Sequence, residues 1–289
     1  MIDNYLWEEL ATFAEQKTLA KTADALHVTQ PTITRGMQKL EDELEVKLFN
    51  RQPNRISLTK TGKLAAKEAI KIISLNQQAI EKITNLAKSQ QITSIAFTVP
   101  GPRILLNHIN KKFDQNIQIE QKLQETNISQ LLNNGQFNLI FSNQEILTAD
   151  IESRFIGIEQ LSVDLNKFMY QANQSSVTFN DLKGLSFLVL ADIGPWKDII
   201  QQEIPETKFL YQDQEDTFSE ISKYSDFPFF SSNLSQLNPN FKLRDQPNNN
   251  RIPIPISDDN AKMEIYANYL KSNRRSLKEI IELVINNWP

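Results

Sequence analysis

Hydrophobic residues in the first 58 positions recur every three or four residues, a spacing that predicts a compact helical domain. Three helices follow from this pattern, and the third covers about 30–43. A short break at 27–29 separates the second helix from the third. The inward-facing positions are Leu6, Leu10, Phe13 and Ala14, then Leu19, Ala23 and Leu26, then Ile33, Met37 and Leu40.

The third predicted helix starts with residues suited to a helix N-terminus. Thr29 is a good N-cap, and Pro31 is tolerated in the first turn because its missing N–H is not needed there. Beyond this helix, residues 50–55 predict a turn between two short strands, the second at 56–58. Two helices joined by a short break and followed by a basic hairpin form a winged helix-turn-helix.

A long helix is predicted over about 60–88, with Thr59 as its cap. Its stripe has alternating steps of four and three residues, the heptad spacing of a coiled coil. Such a stripe needs a partner helix, most simply its copy in a second subunit, where Asn76 would select register and strand number. The alternative is packing on the chain's own N-terminal domain. The predicted dimer seam is Ala65, Ala69, Ile72, Asn76, Ala79, Ile83 and Leu86.

After about residue 93, short apolar strands alternate with helices, which predicts βαβ units and a mostly parallel sheet. The expected strands are 95–99, 117–123, 139–141, 185–190, 208–211 and 227–230. The expected helices are 104–113, 128–134, 197–202 and 218–223. The chain is expected to end with a strand within 260–269 and a helix at 277–288.

Composition narrows the classes of protein. The 289 residues suggest two or three domains, and 40% hydrophobic content is ordinary for a globular protein. No apolar run approaches the roughly 20 residues of a membrane helix, and the N-terminus lacks signal-peptide features, so a cytoplasmic location and no membrane partner are expected. The chain has no cysteine and two histidines, His27 and His108, which excludes thiolate and histidine-rich metal sites.

The net charge of −4 hides a local basic region, because residues 28–67 contain eight Lys or Arg against four acidic residues. A helix in the DNA major groove reads base edges with outward-facing side chains, and a basic hairpin can reach phosphates or the minor groove. Solvated polar positions are the alternative interpretation. The candidate DNA-binding residues are Thr29, Gln30, Pro31, Thr32, Thr34, Arg35, Gln38, Arg51, Arg55, Lys60 and Lys63.

Four segments of the chain resemble the helix-turn-helix region of LysR-type transcriptional regulators: residues 18–35, 40–44, 46–51 and 58–62. The resemblance is strong over about 5–66 and otherwise concerns layout. It implies an α/β protein with a winged helix-turn-helix domain (1–58), a dimerising linker helix (59–89) and a two-lobed, periplasmic-binding-protein-like effector domain (90–289). Lobe I would take about 92–160 and 266–289, and lobe II about 161–265.

Some residues depart from the family pattern. Glu45 stands where the family usually has glycine, and Gly36 lies inside the recognition helix, at a cost of about 1 kcal/mol relative to alanine. Asn138 replaces an acidic residue of the first lobe. Residues 224–228 replace a glycine-rich stretch, so an altered or filled second half of the effector cleft is expected.

The resemblance also implies an effector cleft between the lobes, beyond the carboxyl ends of the strands. Arg103, at a helix start, favours an anionic effector, and an exposed cap residue is the alternative. Trp196 would stack on a ligand or close the hinge, and closure is preferred. The candidate effector residues are Pro100, Gly101, Pro102, Arg103, Ser142, Asn143, Asp192, Gly194 and Trp196.

These observations favour a sequence-specific DNA-binding regulator, a homodimer or tetramer on double-stranded DNA, with RNA polymerase as a further candidate partner. The alternative is a small-molecule-binding α/β protein whose N-terminal helices only dimerise it. No cofactor and no enzymatic activity are expected, because the sequence offers no glycine-rich phosphate loop, no metal-ligand cluster and no nucleophile with a histidine base.

Overall fold

A computed structural model describes residues 1–52, 55–89, 92–109, 116–124, 127–238 and 250–289. The chain divides into two compact units, Met1–Thr84 and Asn85–Pro289. In the described part of the chain, no helix is long and apolar enough to cross a membrane.

The first unit begins with the three predicted helices: α1 (Asn4–Gln16), α2 (Leu19–Ala25) and α3 (Gln30–Leu44). Each contributes its apolar face to one core, because residues three and four apart lie on the same side of a helix. That core contains Leu6, Leu10, Phe13, Ala23, Ile33, Met37 and Leu40, all less than 4% exposed. The helical periodicity of this segment therefore predicted both the elements and their inner faces.

The connections around α3 depend on left-handed backbone conformations at non-glycine residues. His27 in the break before α3 has φ 55°, and Glu45 directly after α3 has φ 55°. Glu45 thus takes the conformation that glycine favours, and its N–H donates to the carbonyls of Glu41 and Asp42. Thr29 occupies the N-cap position, but its hydroxyl bonds the hydroxyl of Thr32 at 2.9 Å and makes no cap hydrogen bond to the backbone.

The predicted hairpin is formed by β1 (Phe49–Gln52) and β2 (Arg55–Leu58), paired antiparallel. Residues 50–52 belong to β1, so the turn is shorter than the sequence indicated, and its tip at 53–54 lies outside the described residues. Thr59 accepts a hydrogen bond from the N–H of Gly62 at 2.9 Å and caps α4 (Lys60–Ser89), as predicted.

The apolar stripe of α4 differs from the predicted dimer seam in its first half. Ala69 is fully buried in the core of the first unit, and Ala65 packs against the same core, so these two positions are wrong for a seam with a second copy. Leu64 and Leu75 are 61% and 64% exposed instead. Periodicity alone could not separate two stripes on one helix, because both have spacings of three and four residues.

The second unit is a mixed sheet covered by helices. Its elements are β3 (Thr93–Phe97), α5 (Pro100–Ile109), β4 (Ile117–Ile119), α6 (Ile128–Asn133), β5 (Leu139–Ser142), β6 (Ile151–Asn166), β7 (Ser186–Leu190), α7 (Trp196–Glu203), β8 (Lys208–Gln212), α8 (Glu215–Tyr224), β9 (Phe229–Ser232), β10 (Arg251–Pro255), β11 (Lys262–Leu270) and α9 (Arg274–Asn286). The strand order is β4-β3-β5-β11-β6-β9-β7-β8, with β10 also on β6.

The long strand β6 joins two lobes and was missed by the sequence-based prediction. Its first part, to Gln160, pairs with β11, whereas Leu161 and the following residues pair with β9 and β10. Lobe I holds the parallel strands β3, β4 and β5 with β11, and lobe II holds the parallel strands β7, β8 and β9. Polar residues on both faces of β6 obscure the alternation that marks a strand.

Some predicted boundaries of the second unit shift. The strand expected over 117–123 is only three residues long, and α5 begins at Pro100, four residues earlier than expected. The expected end of that helix, at 110–113, lies outside the described residues. Asn138 accepts a hydrogen bond from the N–H of Ser94 at 2.8 Å, so the amide that replaces the acidic residue ties β5 to β3.

Candidate DNA interface and interlobe cavity

The outer face of α3 carries the predicted base-reading side chains. Gln30, Thr32, Arg35 and Gln38 are exposed while Ile33, Met37 and Leu40 are buried. Thr34 is half-buried, and its hydroxyl donates to the carbonyl of Gln30 at 3.1 Å. The exposed amide and guanidinium groups have the donors and acceptors that major-groove base edges require.

Glu41 connects α3 to the hairpin, a role that the sequence analysis missed. It is 4% exposed, and its Oε1 accepts hydrogen bonds from the N–H groups of Leu48 and Phe49 at 2.7 and 3.1 Å. Its Oε2 accepts one from Arg51 at 3.1 Å. The sequence could have indicated this role, because Glu41 lies one turn after Met37 on the inner face of α3. Arg51 is therefore partly committed to this contact.

The basic residues of the first unit divide into paired and unpaired groups. Lys39 contacts Asp3 at 2.6 Å and Glu43 at 3.7 Å, and the Asp3 carboxylate raises its pKa. Arg35, Lys60 and Lys63 are exposed and have no acidic partner among the residues the structure describes. The side chain of Arg55 lies outside the described residues. The unpaired cations are the ones available to phosphates.

Gly36 makes room for a buried carboxylate beneath α3. Glu9 on α1 is 6% exposed, and a Cβ on Gly36 would lie 1.8 Å from its Oε2. That oxygen has no hydrogen-bond partner in the described structure, and burial raises the pKa of Glu9 to about 7, with a smaller contribution from Glu8. The glycine that looked like a defect of the recognition helix thus leaves room for this carboxylate.

In the second unit, a cavity of about 560 Å³ lies between the two lobes. It brings together four of the predicted effector residues, Pro100, Arg103, Asp192 and Trp196. Aromatic side chains on the lobe II side are Trp196, Phe218 and Phe230, and the polar lining includes Ser231, Ser232 and Asn107. Its size is typical of small-molecule sites.

Arg103 is neither an exposed cap residue nor a free cation. Its side chain is only 14% exposed, and its guanidinium lies 3.1 Å from the carboxylate of Asp192 in lobe II and also donates to the carbonyl of Gln121. The ion pair links the two lobes at the cavity. Because Asp192 already balances its charge, Arg103 no longer argues for an anionic effector.

The other predicted effector residues do not line this cavity. Asn143 and Gly194 line a second cavity of about 1050 Å³, whose lining also includes Asp192. Gly101 and Pro102 are buried in α5, and Ser142 is fully buried with its hydroxyl bonded to Asn268 and Gln144, so the prediction that Ser142 contacts an effector is wrong. Its hydroxyl has no remaining surface to offer.

Gly194 allows the two lobes to approach each other closely. Its φ is 55°, and a Cβ there would lie 2.5 Å from the carbonyl oxygen of Thr98. Trp196 follows at the start of α7 and is 2% exposed, and its indole lies close enough to Glu159 to lower the pKa of that carboxyl. Its closing role stays a prediction. Both residues therefore contribute to the packing between the lobes.

Glu159 on β6 is the cavity residue that the sequence analysis did not find. It is 1% exposed, and a Cβ on Gly101 would lie 2.5 Å from its Oε2. Burial raises the pKa of Glu159 to about 7, although Ser232, Trp196 and the backbone of Gly101 each lower it. The residues around Glu159, Ile158 and Leu161 among them, do not predict this position. Which face of β6 the Glu159 side chain occupies depends on a register shift between β6 and β11.

The structure defines a class of protein: a winged helix-turn-helix unit continued by a long helix, and a two-lobed α/β unit with a cavity between the lobes. Residues 7–63 match the family described as "Bacterial regulatory helix-turn-helix protein, lysR family". The helix-turn-helix of the first unit is therefore similar to that of the LysR-type transcriptional regulators.

The curated relatives that the chain resembles are transcriptional regulators. The chain is 29% identical over 203 residues to a probable RuBisCO transcriptional regulator of Trichormus variabilis, covering 67% of this chain and 60% of the relative. It is 29% identical over 198 residues to the DNA-binding transcriptional dual regulator OxyR of Escherichia coli K12, covering 64% of this chain and 62% of that protein. These matches span less than two thirds of the relatives' lengths.

Solved structures share the fold. Vibrio fischeri DarR in complex with DNA has a TM-score of 0.55 at 16% identity, covering 99% of both chains. A full-length OxyR variant from Pseudomonas aeruginosa has a TM-score of 0.52 at 17% identity, covering 99% of this chain and 95% of that one. The predicted fold class, a winged helix-turn-helix with a long helix and a two-lobed α/β domain, is confirmed.

Proposed function

We propose that this chain is a sequence-specific DNA-binding transcriptional regulator that acts as a homodimer or tetramer and responds to a small molecule bound between its lobes. The observation that carries the proposal is the outer face of α3, where exposed Gln30, Arg35 and Gln38 lie opposite a fully packed inner face. The names of the relatives, and the DNA in the DarR structure, support the same function.

Base readout is proposed for α3, and phosphate contacts for the surrounding cations. Arg35 can bond guanine through two donors, and Gln30 or Gln38 can bond adenine through an amide. Lys60 and Lys63, in the first turn of α4, have no acidic partner among the described residues and suit phosphates. Glu41 holds the hairpin to α3, so Arg51 and the hairpin follow any placement of that helix. Because the target is chromosomal DNA, the cytoplasm is the proposed site of action.

The DNA-binding proposal is tested by fluorescence anisotropy with the DNA upstream of the chain's own gene and with a scrambled duplex, each at two salt concentrations. We expect Arg35→Ala to reduce the preference for the specific duplex by about tenfold, since one bidentate base contact is worth roughly 1–3 kcal/mol. Lys63→Ala should weaken binding to both duplexes alike and lower the salt dependence.

Lys82→Ala is the matched control, because Lys82 is an exposed lysine on the same helix, about 29 Å from Lys63 at 1.5 Å per residue. Its substitution should leave both affinities unchanged. Binding by the unmodified chain that ignores both salt and sequence would contradict the proposed function.

Self-association is proposed through the exposed face of α4. Its apolar members Leu64, Leu75 and Ile83 are 61%, 64% and 70% exposed, and Ile72, Asn76 and Ala79 lie on or beside the same face. Apolar side chains at this density on one helix favour a partner helix. A second copy of α4 would cover them and place two α3 helices for a two-fold related DNA site.

The oligomer proposal is tested by sedimentation. Leu75→Glu is expected to shift the chain towards monomer, because it places a charge in the apolar face. Asn76→Leu should raise stability but broaden the distribution of oligomers. Ser74→Glu, which adds the same charge at another exposed position of the same helix, controls for charge change alone. An unchanged distribution for Leu75→Glu would contradict a seam at this face.

A further inference from the structure

The described residues that line the 560 Å³ interlobe cavity include several acidic side chains. Among its described lining residues, the acidic side chains are Glu159, Asp192, Asp213 and Glu215, and the single basic one is Arg103. Asp192 and Arg103 form an ion pair with each other. Glu159 and Asp213 are further acidic residues of this concave, partly aromatic space.

Glu159 is the strongest of these features because it lies in the interior. It is 1% exposed, and its Oε2 has no hydrogen-bond partner in the described structure. A buried carboxylate oxygen without a hydrogen-bond partner costs free energy, so proteins retain one mainly where another group compensates for it. Its place in the wall of a cavity means that a bound molecule can supply that group.

A bulge in β6 accounts for the placement of Glu159. Phe155 and Gly157 pair with the neighbouring residues Tyr266 and Ile265 of β11, so Ile156 is an extra residue in the strand. A bulge changes which face the following side chains point to. Beyond it, Ile158 is 42% exposed whereas Glu159 takes the inward position that Leu161 and Val163 share.

Gly101 of α5 lies opposite Glu159 and leaves space for its carboxylate. A Cβ on Gly101 would lie 2.5 Å from both the Glu159 carboxylate and a methyl of Leu234. The structure therefore accommodates a carboxylate at this point by omitting a side chain on the facing helix. An inward acidic residue and a small neighbour are local departures from ordinary core packing, and such departures are typical of functional sites.

We propose that the interlobe cavity binds a small organic cation, a protonated amine with an apolar body, whose ammonium group pairs with the carboxylate of Glu159. The proposal rests on the proposed function, since it names the ligand class of the sensing unit. Trp196, Phe218 and Phe230 supply faces for the apolar body and for cation–π attraction. The exposed Asp213 adds negative potential at the cavity rim.

The electrostatics of Glu159 favour such a partner. Its pKa of about 7 means that the carboxyl is only partly ionised near neutral pH when no ligand is bound. A nearby cation favours the ionised form of a carboxyl. The donors around it, Ser232, Trp196 and the backbone of Gly101, already lower the pKa and would stay in place beside the charged pair.

The test uses the full chain and three probes that share a 2-phenylethyl body: 2-phenylethylammonium, 2-phenylethanol and 3-phenylpropionate. Binding is measured by isothermal titration calorimetry. We expect the ammonium probe to bind about tenfold or more tightly than the neutral and anionic probes, because a charge-assisted hydrogen bond is worth roughly 1.5–3 kcal/mol. Tighter binding of 3-phenylpropionate, or no binding of the ammonium probe, would overturn the proposal.

Variants assign the effect to Glu159. Glu159→Gln keeps the shape of the side chain and should weaken ammonium binding about tenfold or more. Glu145→Gln, at an exposed acidic residue of the same unit outside both cavity linings, should bind like the unmodified chain. Equal affinities in all three proteins would refute the role of Glu159.

Circular dichroism and DNA binding are measured on the same proteins, so that a folding defect or a failure of the regulator function can be told apart from a failure of this proposal. Circular dichroism establishes that Glu159→Gln is folded. If Glu159→Gln does not fold, Asp213→Asn at the exposed rim of the cavity replaces it. We expect Asp213→Asn to weaken ammonium binding about twofold or more, and an unchanged affinity would overturn the proposal. DNA binding by the same preparations is measured separately, so loss of DNA binding with retained ammonium binding contradicts only the proposed regulator function.

Discussion

The two units of this chain each bury one glutamate against a helix glycine, and the surroundings of the two glutamates differ. Glu9 packs against Gly36 of α3 in an apolar core, whereas Glu159 packs against Gly101 of α5 in the wall of a cavity. Each has a carboxylate oxygen with no hydrogen-bond partner in the described structure, and burial raises the pKa of each to about 7.

The difference teaches how to interpret an unpaired buried charge. In the first unit Glu9 is buried against α3 and lines neither of the two cavities, so the cost of burying its carboxylate is not offset by a ligand. In the second unit the space beside Glu159 is open to a ligand, so the same cost can be offset by binding. Burial and pKa alone do not distinguish the two cases, and the neighbouring cavity does.

The largest expected effect concerns the glycine beneath Glu9. Helix propensity alone predicts that Gly36→Ala stabilises α3 by about 1 kcal/mol. We expect the opposite, a loss of about 1–3 kcal/mol, because the new methyl group would displace the Glu9 carboxylate inside a packed core. Urea denaturation of the full chain, followed through the first unit's transition, measures the change.

The double substitution Gly36→Ala with Glu9→Ala is the control for this contact. It should recover stability relative to Gly36→Ala, because the colliding carboxylate is gone. A stabilising effect of Gly36→Ala alone would show that Glu9 relaxes at no cost, and it would remove the packing argument for this glycine.

The next effect is a pH dependence. The pKa of Glu9 is about 7 in the folded domain against an ordinary value of 4.5, so the unfolded chain binds fewer protons between these values. The free energy of unfolding therefore falls as pH rises from about 4.5 through 7. Relative to Glu9→Gln, the unmodified chain should lose about 1–2 kcal/mol between pH 5 and pH 8, measured by denaturant titration.

Glu159 provides a second test, because its pKa is also raised from 4.5 to about 7. Its contribution to the free energy of unfolding therefore changes over the same pH range as that of Glu9. The Glu159 contribution should shrink when 2-phenylethylammonium is present, whereas the Glu9 contribution should not respond to that probe. A stability profile of Glu9→Gln identical to that of the unmodified chain would show that this carboxylate is solvated.

The smallest expected effect lies at the end of α3. Glu45 has φ 55°, a conformation that costs a non-glycine residue about 1 kcal/mol. Glu45→Gly should therefore stabilise the first unit by about 0.5–1 kcal/mol, partly offset by the entropy of glycine in the unfolded chain. Thermal denaturation measures it, with Glu43→Gly inside the helix as the control that should destabilise.

The sequence predicted most of the first unit because its information is local. Leu6, Leu10 and Phe13 on α1, and Ile33, Met37 and Leu40 on α3, lie three or four residues apart, and the helix period makes each set one face. The exposed positions of α3 followed from the same period. The same period did not show which residues of α4 face the core of the first unit, since Ala69 and Leu75 both fit helical spacing and only the packed core separates them. The seam with a second copy stays a prediction.

For the second unit, the sequence predicted the alternation of strands and helices but not the long central strand β6. The direction of Glu159 depends on a bulge at Ile156 and on pairing with β11, which is about a hundred residues away in sequence. The pairing of Arg103 with Asp192 likewise joins two lobes. No local pattern records such contacts.

By itself, the sequence determined the helices of the first unit, the outward face of α3, the alternating α/β layout and the family resemblance, because short-range periodicity and turn chemistry specify them. Only the tertiary structure decided which charges remain available. Chain folding brings Asp192 to Arg103 and Glu41 to Arg51, and it places Glu159 in the cavity wall. The free energy of a charge depends on its neighbours in space, and folding chooses them.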